Sequence, residues 1–91
     1  LNKSITYEEL DSASSVLALH MQNNNLSKGD LIGIFMNRNM ELLVQILAIL
    51  KIGAAYVPID PLYPKSRIEY IIRNANIKHV LVDEAQDTSL N

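Results

Sequence analysis

The chain has 91 residues, of which 48% are hydrophobic and 20% charged, and its formal net charge at pH 7 is −2. The length allows one domain at most, and because the charges are scattered we expect neither nucleic acid nor a membrane as a partner. The lack of cysteine excludes a disulfide partner and thiolate metal sites and fits a cytoplasmic location, while a start at Leu1 without a signal peptide suggests a piece of a longer chain.

The first third of the chain predicts a capped helix followed by a buried strand. Thr6 and Glu9 have the spacing of a capping box, in which each side chain bonds the backbone of the other residue. The helix is expected over about residues 7–22, and the apolar run 31–36 predicts a strand covered on both faces. The apolar positions of the helix that share one face are Leu10, Ala13, Leu17 and Met21.

The segment 40–52 predicts a second helix that is buried on most sides, because its polar stripe is only one residue wide. We expect this stripe, which contains Gln45, to face solvent and Leu47 on the opposite side to be buried. Asn39 has the residue type of an N-cap. Gly53 is expected to end the helix in the left-handed conformation.

The last third predicts a strand, a helix and another strand. Pro58 lacks an amide hydrogen, so the strand at 54–59 should end there or lie at a sheet edge. Pro64 suits the first position of a third helix, and residues 79–82 form a short apolar strand. The alternation of helices and strands predicts an α/β fold with parallel strands and right-handed crossovers, followed by a mobile polar tail at 84–91.

The sequence contains few candidates for chemistry. No glycine-rich phosphate loop is present, and His20 and His79 lie in different elements, where a structural role is favoured. Asp60 and Asp83 follow the carboxyl ends of predicted strands, where open α/β sheets bind ligands. Because Asp before Pro commonly accepts turn amides, a turn at Asp60 is still favoured. We therefore expect no catalytic residue, no cofactor-binding residue and no metal ligand.

Four segments resemble motifs of the amino-acid adenylation domains of nonribosomal peptide synthetases, which are adenylate-forming enzymes. Residues 4–10 resemble "L-T-Y-x-E-L", 29–34 resemble "G-D-x-V-G-I", 50–60 resemble "L-K-A-G-x-A-Y-V-P-x-D" and 60–67 resemble "D-P-x-Y-P-x-x-R". Ile52 replaces the usual Ala of the third motif. The fourth motif favours the peptide-synthetase branch over acyl-CoA synthetases and luciferases. The structural motif residues are Thr6, Glu9, Gly29, Asp30, Gly53, Tyr56, Pro58, Asp60, Pro61, Pro64 and Arg67.

The resemblance implies that residues 1–91 are an incomplete N-terminal portion of one adenylation domain, within its large N-terminal lobe. The complete enzyme would be a ligase that forms an aminoacyl adenylate from ATP with magnesium. It would then transfer the aminoacyl group to the phosphopantetheine thiol of a carrier domain. The implied partners are the remainder of the adenylation domain and the carrier and condensation domains of a synthetase. The matched motifs are scaffold, so we expect the 91 residues alone to be inactive.

Other functions remain open at this point. One alternative is a small autonomous α/β module, flavodoxin-like or receiver-like, that binds or docks without catalysis. Against this alternative, the sequence lacks the acidic pair that a receiver carries after its first strand. It also lacks the Gly- or Ser/Thr-rich loop that a flavin site needs. D-alanine–carrier protein ligases share the "A-Y-P-D" words and are a further alternative. A docking role for the outer helix faces is compatible with either enzyme.

Overall fold

The computed structural model describes residues 4–36 and 40–82. Helices and strands alternate as predicted, and their bounds agree with the expected ones to within one residue. The elements in chain order are α1 (Tyr7–Asn23), β1 (Leu31–Phe35), α2 (Met40–Lys51), β2 (Ala55–Ile59), α3 (Lys65–Asn74) and β3 (His79–Leu81). Asn39, Asp83 and the predicted tail at 84–91 lie outside the described residues.

The three strands form one parallel sheet in the order β2-β1-β3. Ile32 and Ile34 of the central strand belong to an apolar cluster with residues of α1 and α2. Phe35 belongs to a second cluster with Ile59 and Ile68, the latter from α3. Because successive side chains of a strand point to opposite faces, α1 and α2 cover one face of the sheet and α3 covers the other. The prediction that β1 is covered on both faces is confirmed.

The N-terminus of α1 has the predicted capping box. The Glu9 backbone N–H donates to Thr6 Oγ1 at 3.0 Å, and the Thr6 backbone N–H donates to Glu9 Oε1 at 3.0 Å. Further along, Lys51 at the end of α2 ties the two helices together. Its Nζ donates to Asp11 O at 2.9 Å, Asp11 Oδ1 at 2.7 Å and Ser15 Oγ at 2.7 Å.

The orientation of α2 differs from the prediction. Gln45 is only 8% exposed and lies on the buried side together with Ala48, which has no exposed surface. Leu47 is only partly buried, and Leu50 is 55% exposed. The expectation that the polar stripe faces solvent was wrong because this stripe also carries Lys51, whose ammonium group is bonded to α1. Gln45 and Ala48 of the stripe thus lie on the buried side of α2 and Lys51 bonds to α1, whereas Glu41 is exposed.

The chain reversals depend on residues with unusual backbone requirements. Gly53 has φ +77° after α2, as predicted for a left-handed helix end, and Gly29 has φ +89° before β1. Pro64 is the N-cap of α3 rather than its first helical residue, a shift of one position from the prediction.

Within 4–36 and 40–82, no helix is both long enough and apolar enough to cross a membrane.

Candidate functional site

At the amino ends of the strands, two of the motif segments are joined by backbone hydrogen bonds. The Gly29 N–H donates to the carbonyl oxygen of Gly53 at 3.1 Å, and the Ala55 N–H donates to that of Asp30 at 2.9 Å. The left-handed glycines turn the chain so that these groups meet. These two hydrogen bonds therefore fix where β1 and β2 begin relative to each other.

The Asp30 carboxylate lies beside the same pair of backbone hydrogen bonds. Its Oδ2 accepts from the Ser27 backbone N–H at 2.8 Å and lies 3.4 Å from Lys78 Nζ, which also donates to Asn25 O at 2.9 Å. The bond from Ser27 and, less strongly, the charge of Lys78 hold the pKa of Asp30 below its ordinary value despite partial burial. The side chain is 20% exposed and borders a cleft of 320 Å³. Its Oδ2 atom thus fixes the loop before β1.

The carboxyl ends of the strands, where parallel sheets bind ligands, border a larger cleft of 510 Å³. Within this cleft, Asp60 Oδ1 accepts from the Leu62 backbone N–H at 2.9 Å, and Asp60 O accepts from the Tyr63 N–H at 3.1 Å. The carboxylate thus forms the turn expected for Asp before Pro. The cleft is lined by Met36, Pro58, Asp60, Pro61, Leu62 and Tyr63.

The residues after Asp60 form a contact that the sequence pattern had not indicated. The guanidinium carbon of Arg67 lies 4.7 Å from the centre of the Tyr63 ring, within the range of a cation–π interaction. The two residues are four positions apart across the start of α3, and this spacing could have revealed the pair. Pro64 lies between them as the N-cap. The motif residues Tyr63 and Arg67 therefore hold the turn against the helix that follows.

The two histidines lie in different elements of the chain but border the same cleft in the structure. His20 of α1 and His79 of β3 both border a cleft of 200 Å³ that is otherwise lined mainly by apolar side chains. Both histidines are exposed. The other residues that line this cleft are Leu17, Met21, Asn24, Leu26 and Leu81.

The described residues hold no three-ligand metal site. In the ranges 4–36 and 40–82, no three His, Cys, Asp or Glu side chains are grouped so that they could hold a metal ion. The carboxylate that lines the cleft at the carboxyl ends, Asp60, is bonded to a neighbouring backbone amide. We therefore derive no catalytic step from these residues.

A parallel sheet with helices on both faces defines an α/β protein. The family model for the AMP-binding enzymes matches residues 1–91, so the chain belongs to that family. A linear gramicidin synthase of Brevibacillus parabrevis is 39% identical to it over 83 residues, a match that covers 91% of this chain and 1% of the synthase polypeptide.

Two solved structures share the fold and are similar in sequence. The N-terminal subdomain of NpsA from Klebsiella oxytoca has a TM-score of 0.83 at 38% identity, over 90% of this chain and 22% of that one. AB3403, a four-domain nonribosomal peptide synthetase bound to AMP and glycine, has a TM-score of 0.78 at 34% identity, over 84% of this chain and 6% of that one. The 91 residues thus span a small fraction of the relatives that they match.

Proposed function

We propose that the 91 residues are the incomplete N-terminal portion of one adenylation domain, within the large N-terminal lobe of an ATP-dependent amino-acid ligase. The complete enzyme forms an aminoacyl adenylate from an amino acid and ATP with magnesium, and releases pyrophosphate. It then transfers the aminoacyl group to the phosphopantetheine thiol of a carrier domain. The observation that carries the proposal is the match to the NpsA N-terminal subdomain, with a TM-score of 0.83 at 38% identity.

Within this enzyme, the described segment acts as scaffold and binds neither ATP nor the metal. The geometry of the motif residues supports this role: Thr6 and Glu9 cap a helix, Asp30 fixes a loop and Asp60 fixes a turn. Arg67 lies over an aromatic ring of its own segment. Each of these polar groups has a nearby partner within the described chain. The groups that bind substrates are supplied by the rest of the protein.

The test of the activity is amino-acid-dependent exchange of pyrophosphate into ATP by the complete protein, measured with a panel of amino acids that includes D-alanine. We expect exchange with a small subset of the L-amino acids and none by the 91-residue chain. Exchange with D-alanine alone would identify a D-alanine–carrier protein ligase instead. Exchange by the 91-residue chain above a blank would refute the scaffold role.

A matched pair of variants at Asp60 separates a turn-forming carboxylate from one that binds a ligand. Asp60→Asn keeps an oxygen that can accept from the Leu62 N–H but removes the charge, whereas Asp60→Ala removes both. In the complete enzyme we expect Asp60→Asn to retain the exchange rate and the KM for ATP within about threefold, and Asp60→Ala to lower the stability. A loss of about 100-fold in the folded Asn variant would give the charge a direct role.

The proposal also covers partners and location. The carrier and condensation domains of a synthetase act on the product of the complete enzyme, and the remainder of the adenylation domain packs against this segment. The net charge of −2 gives no basis for binding nucleic acid or an anionic membrane, and the lack of cysteine leaves no disulfide partner. We place the enzyme in the cytoplasm. Fractionation of cells that express the tagged complete protein tests this location.

A further inference from the structure

Two imidazole side chains border one cleft without an evident structural task. His20 lies near the end of α1, and His79 is the first residue of β3. Both side chains are exposed, and within residues 4–36 and 40–82 neither imidazole has a hydrogen-bond or ion-pair partner. Imidazole nitrogen is the commonest metal ligand in proteins. The ring nitrogens of both residues are therefore available to a metal ion.

The backbone beneath each histidine is held in place. His20 precedes Met21, which is 2% exposed and belongs to the larger apolar cluster. His79 is paired with Ile32 of the central strand, whose side chain has no exposed surface. Because α1 and β3 are both fixed by the core, a ligand shared by the two rings needs to order only their side chains.

The surroundings of the cleft favour a nitrogen-bound cation over magnesium or calcium. Neither a carboxylate nor a cationic side chain is among the other lining residues, which are Leu17, Met21, Asn24, Leu26 and Leu81. Magnesium and calcium prefer oxygen ligands, whereas imidazole suits zinc, copper and nickel. Lys78 precedes His79, but its Nζ donates to Asn25 O at 2.9 Å and lies 3.4 Å from the Asp30 carboxylate, which offsets its charge.

Asn24 adds a polar group one helical turn after His20. Its Nδ2 donates to the carbonyl oxygen of His20 at 2.9 Å, and this bond fixes the amide beside the cleft. The amide oxygen has no donor among residues 4–36 and 40–82. It can accept a hydrogen bond from a water molecule bound to a metal ion.

We propose that His20 and His79 together bind one zinc ion and so link α1 to β3. The two imidazole nitrogens occupy two of the four tetrahedral positions, water occupies the other two, and Asn24 accepts a hydrogen bond from one of these waters. A site with two protein ligands agrees with the absence of any group of three within the described ranges. It is separate from the proposed adenylation chemistry, and its role is to stabilise the packing of α1 beside β3 when zinc is bound.

Zinc titration of the complete protein by calorimetry, in excess Mg²⁺ and without ATP, tests the inference. The excess Mg²⁺ competes for sites made of oxygen ligands and leaves the imidazole pair open. We expect His20→Ala and His79→Ala each to weaken one zinc site at least about 10-fold, and the double variant to be no weaker than either single one. Gln22→Ala, an exposed change on the same helix, is the matched control and should leave zinc binding unchanged.

Two results would overturn the inference. Equal zinc affinity and stoichiometry in wild type and both histidine variants would show that these residues bind no zinc. A loss in only one of the two variants would show that the ion is not shared between α1 and β3. Wild-type protein gives an independent measurement, since substoichiometric Ni²⁺ should broaden the amide signals of residues 20 and 79 together, and no broadening would also refute the site. Neither experiment depends on pyrophosphate exchange.

Discussion

Gly33 in the middle of β1 allows a close approach between the two outer strands. A Cβ atom at this position would lie 3.0 Å from Ile59 Cδ1 and 3.3 Å from Val80 Cγ2, whereas carbon atoms in optimal contact are about 3.5–4.0 Å apart. We predict that Gly33→Ala destabilises the fold because of the contact with Ile59. Ile59→Val deletes Cδ1, the atom nearest to the added methyl group, and so should relieve the crowding.

Two opposing effects determine how much Gly33→Ala changes the free energy of unfolding. Overpacking costs about 1–3 kcal/mol, and replacing Gly by Ala within a strand returns about 0.5–1 kcal/mol. We therefore expect Gly33→Ala to lower the free energy of unfolding by about 1 kcal/mol. Ile59 has no exposed surface, so Ile59→Val alone should cost about 0.5–1.5 kcal/mol. The double variant should be more stable than the sum of the single effects by about 1 kcal/mol.

The assay is amide exchange at Ile32 and Ile34 in the complete protein, for wild type, both single variants and the double variant. Exchange of these amides gives the free energy of opening of the sheet without requiring that the whole protein unfold in one step. If the two substitutions are additive within about 0.3 kcal/mol, the contact at Ile59 is not what limits residue 33 to glycine. A coupling of the expected size and sign would confirm it.

Two further predictions concern the motif residues. Thr6→Ala removes the side-chain acceptor for the Glu9 N–H and should cost about 1 kcal/mol of stability in a denaturant titration, and an unchanged midpoint would contradict the cap. Asp30→Asn should destabilise the protein at pH 7. Because the pKa of Asp30 is lower in the folded than in the unfolded state, the carboxylate stabilises the fold above the unfolded-state pKa, and this contribution is lost as the pH falls through the folded-state pKa. The difference in unfolding midpoint between wild type and Asp30→Asn should thus vanish at low pH, and a difference that does not change with pH would contradict this.

The helices, strands and their order could be predicted because the features that define them are local. The Thr6 and Glu9 pair, the apolar run of β1 and the left-handed Gly53 each act within a few residues of the chain. The buried face of α2 could not be predicted in the same way. A helix that is apolar nearly all round has no periodicity from which to choose a face. Its orientation depends on the distant partner of Lys51 on α1.

At the candidate site, too, local features could be predicted and features that depend on distant residues could not. The turn at Asp60 followed from its position before proline, since the partner amide is two residues away. The cleft shared by His20 and His79 could not be foreseen, because it forms only when α1 packs beside β3. Asp83, the other carboxylate considered, lies outside the described residues. Contacts between residues close in sequence were therefore predictable, and those created by packing were not.

The proline on the outer side of β2 has a consequence for the protein while it is being synthesised. A ribosome that has made only this part of the polypeptide exposes a small sheet with two edges before the later segments emerge. Unpaired edges recruit strands from other molecules, and this leads to aggregation. Pro58 weakens that recruitment at the edge of β2, because its backbone faces away from β1 and it has no N–H to donate. Among residues 4–36 and 40–82, the edge at β3 has no proline, so it is the edge that is more open to such recruitment during synthesis.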